Sequence, residues 1–184
     1  MNYFPRKPDR LRRTQVRDEE QRANLLGFTD PPAAKMPHLA ETIELIEGLF
    51  REKTDLGGRP YAEHCKRVAA ALPIFVPNDE RHAALLQDVI EDTDLIAAGV
   101  RELGYSKRTV ELVEALTRRD GETYADYIDR IAQSGDAGLI RIKLADVEDN
   151  LDPARPLPPL NESLRERYLK ARAVLRAALD DTPA

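Results

Sequence analysis

The chain has 184 residues, 42% hydrophobic and 33% charged, which suits one soluble domain with a single core and excludes a fibrous or disordered chain. Its net charge of −5 argues against bulk nucleic-acid affinity, and a single cysteine, Cys65, excludes an intramolecular disulfide framework and any multi-thiolate metal site. No apolar run approaches the roughly 18–20 residues of a membrane span, and the first ten residues lack a signal-peptide apolar region, so a reducing cytosol is expected.

Residues 1–38 read as a basic, Pro-containing extension. They carry eight Lys/Arg and five Asp/Glu, a balance of +3, which leaves −8 for the remainder. Five prolines (Pro5, Pro8, Pro31, Pro32 and Pro37) and weak apolar periodicity set them apart from the body. Only a short helix over 11–26 is suggested there. The segment is read either as a solvated extension or as an arm for nucleic acid or a partner.

Residues 39–182 read as one all-α domain of about seven to nine helices, because apolar residues recur at three- and four-residue spacing and no stretch alternates with period two. Aromatics are only 5% and Trp is absent, so Leu, Ile, Val and Ala must fill the core. The first helix, near 38–53, spaces Leu39, Ile43, Ile46, Leu49 and Phe50, and is stopped by Gly57-Gly58. A second, near 60–72, has Pro60 in its first turn. A third runs from Asn78, a favourable N-cap, to Asp92. Thr93 or Asp94 caps a short fourth that ends at Gly104. Ser106 opens a fifth, through Leu116. A sixth carries Tyr124, Tyr127, Ile128 and Ile131, the seventh spans 136–150, and the last spans 162–180 after a Pro-rich turn.

Three features carry possible chemistry. On the third helix, Leu85, Leu86, Val89 and Ile90 make an apolar side, and Gln87, Asp88, Glu91 and Asp92 stand together on the other. Carboxylates at a helix C-terminus are unfavourable against the macrodipole. Either solvent compensates them or a divalent cation does. His64, alone on a partly apolar helix, reads as a satisfied packing residue more readily than as a ligand. Asp146 follows an apolar stretch with Asn150 one turn on, and an unpaired buried charge is costly. A buried cap or a salt bridge to Lys143 or Arg141 would satisfy it without any function.

As an ordered set these features resemble a known family. The PYAEH segment, AALLQDVIEDT about 23 residues later, the ELVEALT helix, KLADVEDNLD and the closing RERYLKA helix are similar to HD-domain metal-dependent phosphohydrolases. More narrowly, they resemble small proteins related to the hydrolase half of RelA/SpoT-type enzymes, which remove the 3′-pyrophosphate of guanosine tetra- and pentaphosphate. The resemblance covers about residues 41–180. It implies one divalent metal, manganese in this family, held by His64, the residue at Gln87, Asp88 and Asp146. It implies that Glu91 and Asp92 position or activate the attacking water. It places Asn150 toward the nucleotide, Tyr168 against the ligand from the last helix, and Lys53 where the family has an arginine. Arg118 and Arg119 are possible phosphate contacts. Such a metal lowers the pKa of a bound water while a carboxylate takes the proton.

One departure matters. The family's dipeptide is His-Asp, and this chain has Gln87-Asp88. An amide oxygen is a weaker donor than an imidazole nitrogen. Loss of even outer-shell support costs roughly 10–100-fold in metal affinity, so at least that is expected here. His82 does not substitute, since five residues upstream points it about 140° around the helix. Lys53 gives up bidentate phosphate recognition. Three functions follow: a weakened phosphohydrolase of a guanosine polyphosphate or related nucleotide, a nucleotide-binding or sensory protein without turnover, or a helical interaction module using the basic arm. Cys65 reads as packing.

Overall fold

The computed structural model describes residues 36–55, 57–154 and 162–182. Most of the extension expected over 1–38, including its basic arm and short helix, lies outside the described residues. So does the Pro-rich turn over 155–161. Among the described residues the chain is all-helical: α1 (Leu39–Leu49), α2 (Ala62–Ala71), α3 (Asn78–Leu86), α4 (Val89–Asp92), α5 (Ala97–Glu102), α6 (Lys107–Leu116), α7 (Tyr124–Ala132), α8 (Ala137–Leu151) and α9 (Glu162–Asp180). The one β contact among these residues is an isolated Thr54–Pro60 bridge. None of these helices is long and apolar enough to cross a membrane.

Side-chain caps set several boundaries. Ser106, Thr123 and Asp136 each accept the backbone N–H three residues on, which satisfies an orphan donor at the starts of α6, α7 and α8. Glu41 reaches back to the His38 N–H at 2.6 Å and closes the start of α1. Gly104 and Gly135 end α5 and α7 at φ 89° and 67°, a backbone region only glycine enters freely.

The interior is aliphatic, as the composition requires. Helix α8 runs through its middle, packed against α9, α2, α3, α6 and α7. Ile140, Ile142 and Val147 of α8 are fully buried with Ile46, Val68, Leu86, Val113, Ile131 and Leu175 from the helices around them. Cys65 is buried among them as packing.

Four boundaries differ from expectation. Helix α1 ends at Leu49, before Lys53, because the chain turns there and the Lys53 N–H donates to Phe50 O. Pro60 precedes α2 rather than sitting in its first turn, since it is held in the bridge to Thr54. Asn78 is the first helical residue, not the cap, a place taken by Pro77. Ile96, not Thr93 or Asp94, precedes α5, because the Thr93 hydroxyl donates to Val89 O and accepts the Leu95 N–H.

The third expected helix is also broken. Gln87 and Asp88 form a turn between α3 and α4, with Asp88 at φ −102°, ψ 0°, a sparsely populated conformation in which active-site residues are often found. The continuous apolar face of Leu85, Leu86, Val89 and Ile90 hides this break from a periodicity reading.

Candidate functional site

The loop after α1 is built to hold two side chains together. Asp55 accepts the N–H groups of Gly57 and Arg59 at 2.9 and 3.0 Å, Gly58 turns the chain at φ 79°, and the Tyr61 N–H donates to Lys53 O. The Lys53 ammonium therefore lies 3.7 Å over the Tyr61 ring. From there Lys53 pairs with Asp92, and the Tyr61 hydroxyl donates to Asp88 at 2.9 Å.

Three elements converge beside this loop. His64 comes from α2, Gln87 and Asp88 from the α3–α4 turn, and Asp146, Asp149 and Asn150 from α8. His64 Nδ1 donates to Asp149 at 2.6 Å, and its Nε2 lies 3.1 Å from Asp146 and 3.8 Å from Asp88. The Gln87 amide lies 3.4 Å from the same Nε2. Asp146 takes Lys143 at 2.6 Å on one oxygen and Asn150 at 2.9 Å on the other. Asp149 also accepts Arg67 at 2.7 Å. Residues more than 80 positions apart thus meet in one buried cluster.

The electrostatics follow from this packing. Burial pushes the His64 pKa down, but hydrogen bonds to Asp146 and Asp149 outweigh it and lift it from 6.5 to about 9. Burial raises Asp88 to about 6, with Asp146 adding to the rise and His64 opposing it. For Asp146, burial would also raise the pKa, but Lys143 and His64 hold it well below the usual carboxylate range. Lys143 is buried against this carboxylate, whose attraction more than offsets the desolvation of its ammonium.

The acidic stretch is therefore compensated within the chain. Lys53 faces Asp92, Tyr61 faces Asp88, Lys143 faces Asp146, and the Arg118 N–H donates to Glu91 at 2.6 Å. The salt bridge expected for Asp146 forms with Lys143, while Arg141 pairs with Glu80 at 2.5 Å. His82 points away, to Thr42 at 2.9 Å.

A divalent metal does not fit this donor set. His64 is oriented by Asp149 on Nδ1 and turns Nε2 toward Asp146 and Asp88, so what the set lacks is a further strong donor. Gln87 supplies an amide where the resembled pattern has a second imidazole. Among the described residues no three His, Cys, Asp or Glu side chains form a group that could hold a metal ion.

The remaining expected residues are placed as follows. Tyr168 of α9 is half-buried and meets Tyr124 edge to face, with ring centroids 6.2 Å apart. The Arg118 Nε is buried without a hydrogen-bond partner among the described residues. Arg119 is exposed, and its N–H donates to Glu122, so it is not gathered with the rest. Asp149, Arg67, Tyr61, Tyr124 and Arg167 were not singled out as site residues from the sequence. For Asp149 a signal existed, since it lies three residues after Asp146 and so on the same side of α8. The pairing of Tyr124 with Arg167 across α7 and α9 has no local signal.

With the helices and the cluster in place, the architecture is that of an HD-domain helical bundle. No protein-family model matches the chain, and no curated protein does. Among solved structures, the chain is similar to a metazoan ortholog of SpoT that hydrolyses ppGpp and plays a role in starvation responses. The two are 26% identical, with a TM-score of 0.66, over 82% of this chain and 91% of that one.

Proposed function

We propose that this chain binds a guanosine polyphosphate of the ppGpp type, or a related nucleotide, at the cluster around His64, and that Gln87 suppresses its phosphohydrolase activity. The observation that carries this reading is the convergence of His64, Asp88 and Asp146 from three elements, next to the buried Lys143 ammonium and Asn150. The likeness to a ppGpp-hydrolysing SpoT ortholog supports the nucleotide class.

In this reading Lys143 and Lys53 supply positive charge for the phosphates, Arg118 adds a donor, and Asn150 and Tyr168 face the nucleotide. Glu91 and Asp92 are the groups that would orient a water. Their current partners, the Arg118 N–H and Lys53, keep both carboxylates in place beside the cluster. Manganese is the divalent ion the family pattern implies, and an imidazole at position 87 is what the donor set lacks.

A ligand that binds only the folded state raises stability by mass action, by about 2.7 kcal/mol at 100 times its Kd. Millimolar ppGpp should therefore raise the melting temperature of the purified protein without added divalent cation. No shift with ppGpp, GTP or GDP at that concentration would contradict the proposal.

A further inference from the structure

Besides the Arg118 Nε, two further polar atoms outside the His64 cluster are buried without a hydrogen-bond partner among the described residues: the Tyr124 hydroxyl and the Arg167 Nε. They belong to different helices, α7 and α9, yet lie together. The Arg167 guanidinium centre is 4.8 Å from the Tyr124 ring and 5.8 Å from the Tyr168 ring. Native proteins leave few buried donors unsatisfied, because each loses its hydration with nothing in return. The guanidinium reaches the Tyr168 side chain, but its Nε and the neighbouring Tyr124 hydroxyl are left as donors without an acceptor among the described residues.

We infer that Tyr124 and Arg167 form a phosphoryl-binding subsite beside Tyr168, which receives an anionic oxygen of the same ligand that occupies the His64 cluster. This inference rests on the nucleotide reading proposed above. Arg167 has only donors and a fixed positive charge, so its complement is an anionic acceptor, and its planar fork matches phosphate oxygens. The Tyr124 hydroxyl stays protonated at neutral pH, because burial lifts its pKa to about 12, and it is therefore available as a second donor. The rings hold the guanidinium before any ligand arrives, which limits the ordering cost of binding.

The subsite is continuous with the cluster. The Tyr124 ring lies 6.2 Å from that of Tyr127, the Lys143 ammonium lies 4.9 Å from the Tyr127 ring, and Lys143 binds Asp146.

The test is calorimetric titration of the full chain, with chelator present, using ppGpp, inorganic pyrophosphate and guanosine. Tyr124→Phe removes one hydroxyl and keeps the ring, and Arg167→Lys keeps the charge but removes the Nε donor. Each variant is expected to weaken ppGpp and pyrophosphate by roughly 10-fold, the value of one hydrogen bond to a charged group, and to leave guanosine unchanged. Tyr124→Phe should not lower the melting temperature, which separates lost binding from lost folding. Unchanged ppGpp binding in both variants would overturn the subsite while the nucleotide reading stands. An equal loss for guanosine would overturn it in favour of a base-stacking platform. If the unaltered chain binds neither ppGpp nor pyrophosphate, the reading beneath it fails as well.

Discussion

His64 and Asp149 meet at 2.6 Å across 85 residues of chain, and this contact decides which edge of the imidazole looks into the cluster. With Nδ1 committed to Asp149, Nε2 is left facing Asp146, Asp88 and Gln87. Such a carboxylate behind a histidine fixes ring orientation.

Removing Asp149 should therefore cost stability as well as orientation. Asp149→Ala would leave His64 and Arg67 facing each other without their shared carboxylate. The expected loss is about 3 kcal/mol, in the range for breaking one side of a buried ion pair. Urea denaturation would measure it, and a loss below about 0.5 kcal/mol, the size of an ordinary surface change, would contradict the assigned role.

The approach of α8 to α3 is set by a glycine. A Cβ at Gly138 would come within 2.8 Å of the Glu80 carboxylate oxygen, and Glu80 is buried and paired with Arg141. Replacing glycine by alanine inside a helix normally gains up to about 1 kcal/mol. Here the clash should reverse the sign, so that Gly138→Ala destabilises by roughly 1–3 kcal/mol. Denaturant midpoints decide between the two signs.

His82 makes stability depend on pH. It is buried against Thr42 and Tyr105, and burial lowers its pKa below the ordinary 6.5. The unfolded chain takes up the proton at higher pH than the folded one. Stability from this group is thus fully present above about 6.5 and is lost as pH falls through and below that value. His64 and Asp88, whose pKa values are raised on folding, act in the opposite sense in both proteins, so the reading is the difference between them: from pH 7.5 to 5.5 the urea midpoint of the unaltered chain should fall relative to that of His82→Gln. An identical pH dependence in both would count against this assignment.

The helix order was legible because it rests on local chemistry. The three- and four-residue spacing of Ile43, Ile46 and Phe50, and caps such as Ser106 and Asp136, announce helices without reference to the rest of the chain. The break at Gln87–Asp88 was not legible, since the apolar residues on both sides keep helical register across it. The cluster was legible only as an ordered set of residues. His64, Gln87, Asp88, Asp146 and Asn150 do come together, while Arg119 stays exposed. The internal cations were harder to see. An acidic stretch gives no hint that Lys53 will fold back on Asp92, because that depends on the loop over 51–60. Tyr124 and Arg167 are brought together only by the packing of α9 on α7.

The most direct measurement compares the unaltered chain with Gln87→His for manganese content and for pyrophosphate release from ppGpp. Restoring the imidazole should raise manganese retention and hydrolysis by roughly 10–100-fold or more, the scale on which metal sites respond to changes around their ligands. Equal manganese content and equal rates in the two proteins, or no release by Gln87→His at any manganese concentration, would contradict the account.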